Sequence, residues 1–371
     1  MIAGALNSLR PAWIPTRAAA TSAPDPLDQV VDTVHTAVQA VEDAVVHPEG
    51  PRRTAMYCAG RTCLSFLTGP VAHGVGQALK ALGHNTREIN PAPPPSPLAD
   101  LPASTLSRPV LMVHGWHTKM EFYQALTDKL TEGGANGGRP AFVQKGQLFE
   151  DAECTRPLAH PSPDMRVFVS VFSSHRLAPD QSAPELKANL EAVSRLTGQA
   201  LVDVSAYSMG GLATRRLVDE FPESHGVGKF LMVGTPNQGA GMAGLCALTL
   251  ANEKKGQDLR WLLNTKDVLA EDEQALEWLR PTSALREELN SRWPTQMACF
   301  ESVLHLGSKA VLTPSLLLWP VPGDGTVSAV SLGLEGMPVK FVRSHGQYGS
   351  HKNLLANPDT YMEMRDHFGW H

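Results

Sequence analysis

Beyond residue 108, short apolar runs alternate with segments whose apolar positions recur at helical spacing. One helical segment covers 118–130, and another begins at a capping box formed by Ser182 and Glu185 and ends at Gly198. The interval 133–164, rich in glycine and proline, predicts a loop. Apolar strands separated by helices predict an α/β fold, a mostly parallel sheet with helices on both faces. The six predicted strands cover 109–113, 165–172, 201–205, 230–233, 315–321 and 339–342.

A proline-rich stretch at 91–97 divides the chain. Prolines at this density favour extended polyproline geometry and interrupt both helices and central strands. Upstream of them, valines at helical spacing follow Asp25-Pro26, and a second helical pattern covers 55–82. We therefore predict an N-terminal helical extension with its linker over 1–105 and an α/β domain over 106–371.

The composition is that of a folded protein, because 42% of the 371 residues are hydrophobic, 19% are charged and the formal net charge is −5. This composition excludes a wholly disordered chain, and the lack of a dense Lys/Arg block argues against nucleic-acid binding. The cysteines are odd in number and form no CxxC pair, so we predict neither a zinc site nor a disulfide scaffold. They are Cys58, Cys63, Cys154, Cys246 and Cys299.

The sequence contains few targeting signals. Its apolar start, residues 1–6, is shorter than the ~7–15 apolar residues of a signal peptide. No run of ~20 apolar residues predicts a membrane-spanning helix. We expect a soluble protein, with a cytoplasmic location favoured over secretion. One disulfide in an oxidising compartment and contact with a lipid surface both stay open.

The segment 204–211, Val-Ser-Ala-Tyr-Ser-Met-Gly-Gly, joins the third predicted strand to a helix. Ser208 lies where the strand becomes the helix, with Ala206 two residues before it and Gly210 two residues after it. This is the spacing of a G-x-S-x-G nucleophile elbow with alanine in the first position. The turn is sharp, so its flanking residues must be small, and the helix directs its first amides toward developing negative charge. Ser208 is therefore the candidate nucleophile.

Five motifs in this order resemble an α/β-hydrolase of the lipase/esterase branch over about 109–371. They are similar to motifs of bacterial triacylglycerol lipases and of lipases like the glycosylphosphatidylinositol inositol-deacylases. The resemblance implies an α/β-hydrolase fold, hydrolysis of carboxylic esters and an oxyanion-hole turn after the first strand. The motifs are His-Gly-Trp at 114–116, the elbow at 204–211, Gly-Thr-Pro-Asn-Gln-Gly at 234–239, Gly-Asp-Gly-Thr-Val at 323–327 and Ser-His-Lys-Asn-Leu-Leu at 350–355.

Candidates for the acid and the base follow from chain order, which in this fold is serine, acid, histidine. Asp324 lies in a Gly-Asp-Gly turn just after the predicted strand 315–321, whereas Asp203 precedes the serine. Two histidines follow the last predicted strand. His351 has the sequence context of the resembling family and is favoured as the base, and His345 stays the alternative.

The resemblance implies an oxyanion hole made of the backbone N–H groups of Trp116 and Met209. We expect His114 to shape the turn rather than to act as an acid or a base. His117 precedes the nucleophile in the chain, so chain order argues against it as the catalytic base. A metal site built from His114 and His117 is not expected, because no carboxylate stands at a spacing that would support it. We expect no cofactor.

The interval 234–313, between the fourth and fifth predicted strands, is far longer than the ~2–6 residues of a minimal connection. It contains apolar clusters, so a helical cap or lid over Ser208 and an ordinary helical insertion are both open. Together these features predict a serine hydrolase that cleaves lipid or acyl esters. An acyltransferase that uses the same triad and a catalytically silent binding module are the alternatives.

Overall fold

The computed structural model describes residues 97–371 apart from 119, 242, 244–245, 247–267 and 315–319. The strands are β1 Val110–Val113, β2 Ala141–Gln144, β3 Gln147–Phe149, β4 Val167–Ser170, β5 Val202–Tyr207, β6 Val227–Val233, β7 Ser302–Ser308, β8 Val311–Pro314, β9 Pro320–Gly323 and β10 Val339–Val342. Eight of them form one sheet in the order β10-β7-β6-β5-β1-β4-β2-β3. Neighbours in this sheet run parallel except for the edge hairpin of β2 and β3. The remaining two, β8 and β9, form an antiparallel pair.

Helices cover both faces of the sheet. The described α-helices are α1 Glu121–Thr131, α2 Pro179–Thr197, α3 Met209–Glu220, α4 Glu273–Leu279, α5 Ala284–Ser291, α6 Trp293–Ala298 and α7 Pro358–Phe368. In the buried strand β1, Leu111 and Val113 belong to the apolar cluster that contains α2 and α3. Val110 and Met112 belong to the cluster that contains α1 and α7. Alternate strand residues therefore face two separate halves of the core.

This architecture confirms the predicted fold class. A parallel sheet with helices on both faces carries Ser208 at the turn from β5 to α3, as an α/β-hydrolase sheet carries its nucleophile. The fold is that of an α/β-hydrolase.

The strand predicted over 315–321 needs correction. The strand that lies next to β6 is β7, and 320–323 form β9, which pairs with β8 instead; residues 315–319 lie outside the described part. The pattern concealed β7 because His305 and Gly307 interrupt its apolar run. His305 is nevertheless buried, since its Nε2 accepts a hydrogen bond from the Thr235 N–H at 3.0 Å. The connection after β6 therefore ends at residue 301, short of the predicted 313.

Two further local predictions differ from the structure. The interval 133–164 contains the β2–β3 hairpin, and β2 extends the parallel sheet beside β4. The second predicted helix begins at Pro179 rather than after Ser182. The Ser182 hydroxyl donates to the Ala178 carbonyl at 3.0 Å, so it bonds inside the first turn instead of capping it. The helix ends at Gly198 as predicted, with that glycine in the left-handed conformation.

The predicted extension over 1–105 lies mostly outside the described residues, as do both helical patterns upstream of residue 97. The end of the linker is described, and its Leu98 is buried in the cluster around α1 and α7, together with Leu106 at the start of the α/β domain. Among the helices that the structure describes, none combines the length and apolar character needed to cross a bilayer. Within residues 97–371, the described histidines, cysteines and carboxylates form no group of three that could hold a metal ion.

Candidate active site

Ser208 occupies a strained turn at the end of β5. Its backbone has φ 53° and ψ −128°, a region that residues other than glycine rarely adopt. The Ser208 N–H donates to the Val233 carbonyl at 2.8 Å, and the Ser208 carbonyl accepts from the Gly211 N–H at 3.0 Å. A Cβ on Gly210 would lie 2.6 Å from the Val113 carbonyl oxygen, so only glycine fits there. This is the geometry expected of a nucleophile elbow, and it leaves the serine half-buried among buried neighbours.

The structure brings Ser208, His351 and Asp324 together. His351 Nε2 lies 3.0 Å from Ser208 Oγ, and His351 Nδ1 lies 2.7 Å from Asp324 Oδ2. Both Asp324 and His351 are buried. With the Nδ1 proton directed at the carboxylate, the unprotonated Nε2 faces the serine hydroxyl, which then donates to it.

Backbone contacts hold the His351–Asp324 pair in place. The second carboxylate oxygen of Asp324 accepts from the N–H groups of Thr326 at 2.9 Å and Val327 at 2.7 Å. The His351 N–H donates to the Asp324 carbonyl at 2.7 Å, so the two residues are joined by backbone as well as side chain. Gly234, with φ +61°, packs against both of them, and a Cβ there would come within 3.2 Å of the Asp324 carboxylate. The Asp324 carboxylate is thus held by backbone amides at one oxygen and orients the His351 ring with the other.

Tyr207, the residue before the nucleophile, also holds the histidine, and the sequence analysis did not single it out. Its hydroxyl donates to the His351 carbonyl at 2.9 Å, and the two rings lie 4.9 Å apart. Tyr207 is buried, and burial raises the pKa of its phenol well above the usual value. The phenol therefore stays neutral and keeps the proton that it donates to the His351 carbonyl.

His345, the alternative base, and Asp203, which chain order set aside as the acid, both lie elsewhere. His345 Nε2 is 3.0 Å from the Asp359 carboxylate, in an exposed cluster with Arg343. Asp203, buried in β5, accepts from the Arg108 guanidinium at 3.0 Å and from the Lys229 N–H at 2.9 Å. His345 and Asp203 therefore each have a structural partner, and the structure places His351 at the serine.

The turn after β1 packs directly on the elbow. A Cβ on Gly115 would lie 2.7 Å from Ser208 Cβ and 3.1 Å from the Met209 nitrogen, so no larger residue fits. This contact brings the backbone leading into Trp116 beside the first amide of α3. Both predicted oxyanion-hole amides therefore belong to segments that flank the serine.

His114 braces the same turn. Its Nδ1 donates to the Gly115 carbonyl at 2.9 Å, and its Nε2 accepts from the Phe172 N–H at 3.1 Å. Burial lowers the pKa of His114 to about 4, so the ring is neutral near neutral pH. Its contacts agree with the expectation that it shapes the turn.

A second polar cluster adjoins the turn, centred on the buried carboxylate of Asp272. This carboxylate accepts hydrogen bonds from Trp116, His117 and Arg176. Sequence reasoning did not find it, because Asp272 is more than ninety positions away from each of these partners. The local signal at Asp272 is that of an ordinary acidic helix start.

An apolar cluster includes the residue that follows the nucleophile and residues of the β6–β7 connection. One buried cluster joins residues beside the triad to residues of α3, α4 and the connection itself. Its members include Met209, Leu212, Ala240, Leu276, Leu279, Val327 and Leu332, with Trp116 packed against them. Met209 follows the serine and Val327 binds the Asp324 carboxylate, so the apolar cluster adjoins the catalytic candidates.

The sequence matches no protein-family model and no curated protein. Solved structures do match it. A gene product of Listeria innocua is 15% identical at a TM-score of 0.47, over 70% of this chain and 93% of that chain. Mature Bacillus licheniformis lipase BlEst2 is 16% identical at a TM-score of 0.45, over 72% of this chain and 93% of the lipase chain. Legionella pneumophila phospholipase PlaB is 14% identical at a TM-score of 0.42, over 70% of this chain and 59% of the phospholipase chain. The fold assignment rests on the sheet order and the Ser208 elbow of this chain.

Proposed function

We propose that this protein is a serine hydrolase that cleaves carboxylic esters through an acyl-enzyme intermediate. The observation that carries the proposal is the continuous hydrogen-bonded path from Ser208 Oγ through His351 to Asp324, with distances of 3.0 and 2.7 Å. A hydroxyl near neutral pH is a weak nucleophile until a base removes its proton as it attacks. The path supplies that base and orients it.

The proposed reaction has two halves. Ser208 Oγ attacks the ester carbonyl carbon while His351 Nε2 takes the hydroxyl proton, giving a tetrahedral oxyanion. When the intermediate collapses, the C–O bond to the alcohol breaks and His351 returns the proton to the departing oxygen. Water then repeats the sequence on the acyl-enzyme, releasing the carboxylic acid and free Ser208. Asp324 stays ionised throughout and stabilises the imidazolium.

The oxyanion is assigned to the backbone N–H groups of Trp116 and Met209. The Met209 amide is the first of α3, where unpaired N–H groups and the helix dipole favour negative charge. Gly115 brings the Trp116 segment against the same point. A hydrogen-bond donor of this kind contributes about 2.7–4 kcal/mol to transition-state stabilisation.

The substrate class follows from the apolar cluster next to the triad. Met209, Leu276 and Val327 are buried in this cluster, so the region beside the triad is apolar and suits a lipophilic acyl chain better than a charged one. Burying a methylene of such a chain contributes about 0.8 kcal/mol. We therefore propose lipid or acyl esters as substrates, with the helices of the β6–β7 connection acting as a cap.

Ser208→Ala tests the proposal, because it deletes the attacking oxygen and little else. It should abolish hydrolysis of a soluble p-nitrophenyl ester while leaving the circular dichroism spectrum unchanged. Ser224→Ala, at an exposed serine remote in sequence from the elbow, is the matched control and should keep full activity. Wild-type turnover by Ser208→Ala would contradict the hydrolase assignment.

The same assay separates the two alternatives. An acyltransferase would give the ester of an added alcohol in preference to the free acid. A binding module would show no Ser208-dependent turnover at all.

A further inference from the structure

The Asp272 carboxylate joins three segments that are distant in sequence. Its Oδ1 accepts the indole N–H of Trp116 at 2.8 Å and the Nε2–H of His117 at 2.8 Å. Its Oδ2 accepts the Leu269 N–H at 2.7 Å and a guanidinium N–H of Arg176. Four donors match the ≈ four acceptor positions of a carboxylate. Since the Asp272 side chain is fully buried, its charge is balanced by these contacts rather than by water.

The two donors on Oδ1 come from the consecutive residues Trp116 and His117. They converge because His117 adopts the left-handed conformation with φ 50°, a strained state for a non-glycine residue. Its backbone N–H donates to the His175 carbonyl at 3.0 Å, and the two imidazole rings lie 4.7 Å apart. The strained conformation therefore persists because contacts outside the turn hold it.

This turn is the one that packs on the nucleophile. Gly115, next to Trp116, leaves no room for a Cβ against Ser208. A shift of the segment that contains Trp116 and His117 would therefore move the Trp116 N–H relative to the serine. A displacement of ~1 Å in a catalytic group can cost about a hundredfold in rate.

We propose that Asp272 is a positioning residue, which anchors the Trp116 and His117 side chains and so aims the Trp116 backbone N–H at the carbonyl oxygen of the substrate. Asp272 ends the 3-10 turn Ala270–Asp272 and directly precedes α4 in the β6–β7 connection, so this anchor also ties the proposed cap to the oxyanion hole. The inference rests on the proposed function.

The test is Asp272→Asn in the full chain, assayed on a soluble ester with rates normalised to fluorophosphonate-titrated sites. The asparagine amide has the size of the aspartate carboxylate, but its NH₂ group is a donor and cannot accept the hydrogen bonds that one carboxylate oxygen accepts. We expect kcat to fall about 10- to 100-fold with KM within about threefold, since only transition-state stabilisation is lost. The rate of fluorophosphonate inactivation should fall by the same factor, because its phosphonyl oxygen uses the same amides.

Asp219→Asn is the matched control. Asp219 is also largely buried and accepts from Arg292 at 2.7 Å, but it lies near the far end of α3 from the serine. It should lower the melting temperature like Asp272→Asn while keeping wild-type kcat. An equal loss of kcat in both variants would overturn the proposal, because general loosening would then explain it.

Trp116→Phe gives a second route if Asp272→Asn fails to fold. It removes the indole N–H and leaves the Asp272–Arg176 ion pair in place, and kcat should fall about five- to tenfold. In a double-mutant cycle the losses in Trp116→Phe and Asp272→Asn should be less than additive. Wild-type kcat in a folded Asp272→Asn or in Trp116→Phe would overturn the inference. The proposed function would still stand if Ser208→Ala were inactive.

Discussion

Asp324 and Asp272 are both fully buried, and each holds a histidine, yet the two carboxylates do different things. Asp324 satisfies one oxygen with two backbone amides and gives the other to His351. Asp272 satisfies both oxygens with side chains and an amide drawn from three segments. Asp324 therefore orients one ring toward the serine, whereas Asp272 fixes the shape of a turn.

The comparison teaches that a buried His–Asp pair does not by itself identify a base. The pairs differ in what surrounds the rest of the histidine ring, above all in whether the nitrogen that does not face the aspartate reaches a nucleophile. His351 presents its second nitrogen to Ser208 at 3.0 Å, whereas His117 packs against His175 and Arg176. A third His–Asp pair, His345 with Asp359, is not buried and lies at the surface beside Arg343.

The largest expected effect distinguishes the two histidines that follow β10. His351→Ala should lower kcat by about 10⁵-fold or more, because Ser208 then keeps its proton. His345→Ala, which loses only an exposed contact with Asp359, should stay within about twofold of the wild type. Steady-state kinetics of both variants on one soluble ester make the measurement. The reverse pattern would exchange their roles, and small losses in both would refute the triad.

Asp324→Asn should lower kcat by about 10⁴-fold, a larger loss than that expected of Asp272→Asn. The Thr326 and Val327 amides hold the remaining oxygen, so the new NH₂ group faces His351 Nδ1. That contact favours the tautomer with its proton on Nε2, which cannot accept the serine proton. Asp359→Asn, which alters the pair with His345, is the control and should keep its activity. Equal kcat in Asp324→Asn and Asp359→Asn would contradict the assignment of Asp324 as the acid of the triad.

Chain-length preference tests the apolar cluster beside the triad. If the cluster holds the acyl chain, kcat/KM should rise up to about fourfold per added methylene beyond butyrate, the factor that corresponds to ~0.8 kcal/mol. Activity should also rise when the substrate passes its solubility limit and forms an interface. A preference for acetate esters with smooth saturation would indicate a short-chain esterase without an apolar lid.

A smaller effect concerns buried histidines whose ring nitrogens bind backbone groups. Burial lowers the pKa of His114 to about 4 and that of His305 to about 3. The unfolded chain, with histidine pKa near 6.5, binds more protons below that pH, so stability should decrease as the pH falls. Between pH ~6.5 and ~5 each ring should cost up to about 2 kcal/mol in the free energy of unfolding. Urea unfolding at several pH values measures this slope, and a flat profile would contradict the neutral rings.

The sequence predicted the parts of the fold that local pattern controls. β1, β4, β5, β6 and β10 follow from continuous apolar runs, and the elbow follows from the small residues around Ser208. The order of serine, acid and histidine then indicated Asp324 and His351, which the structure brings together with the serine.

The missed features depend on contacts distant in sequence. His305 in β7 is polar, and its contacts with the Thr235 amide, the Leu332 carbonyl and the Asn237 side chain make it acceptable in a central strand. Asp272 lies 155 positions from His117, and no spacing rule connects them. Pattern therefore reveals what a segment forms by itself, whereas buried polar contacts appear only when the chain is folded.

Covalent labelling tests the central claim most directly. A fluorophosphonate probe should add one phosphonyl group to the full-length protein, and peptide mapping by mass spectrometry should place it on Ser208. The label should be absent in Ser208→Ala, much slower in His351→Ala and unchanged in His345→Ala. Labelling at another residue, or no labelling of folded wild-type protein, would contradict the account.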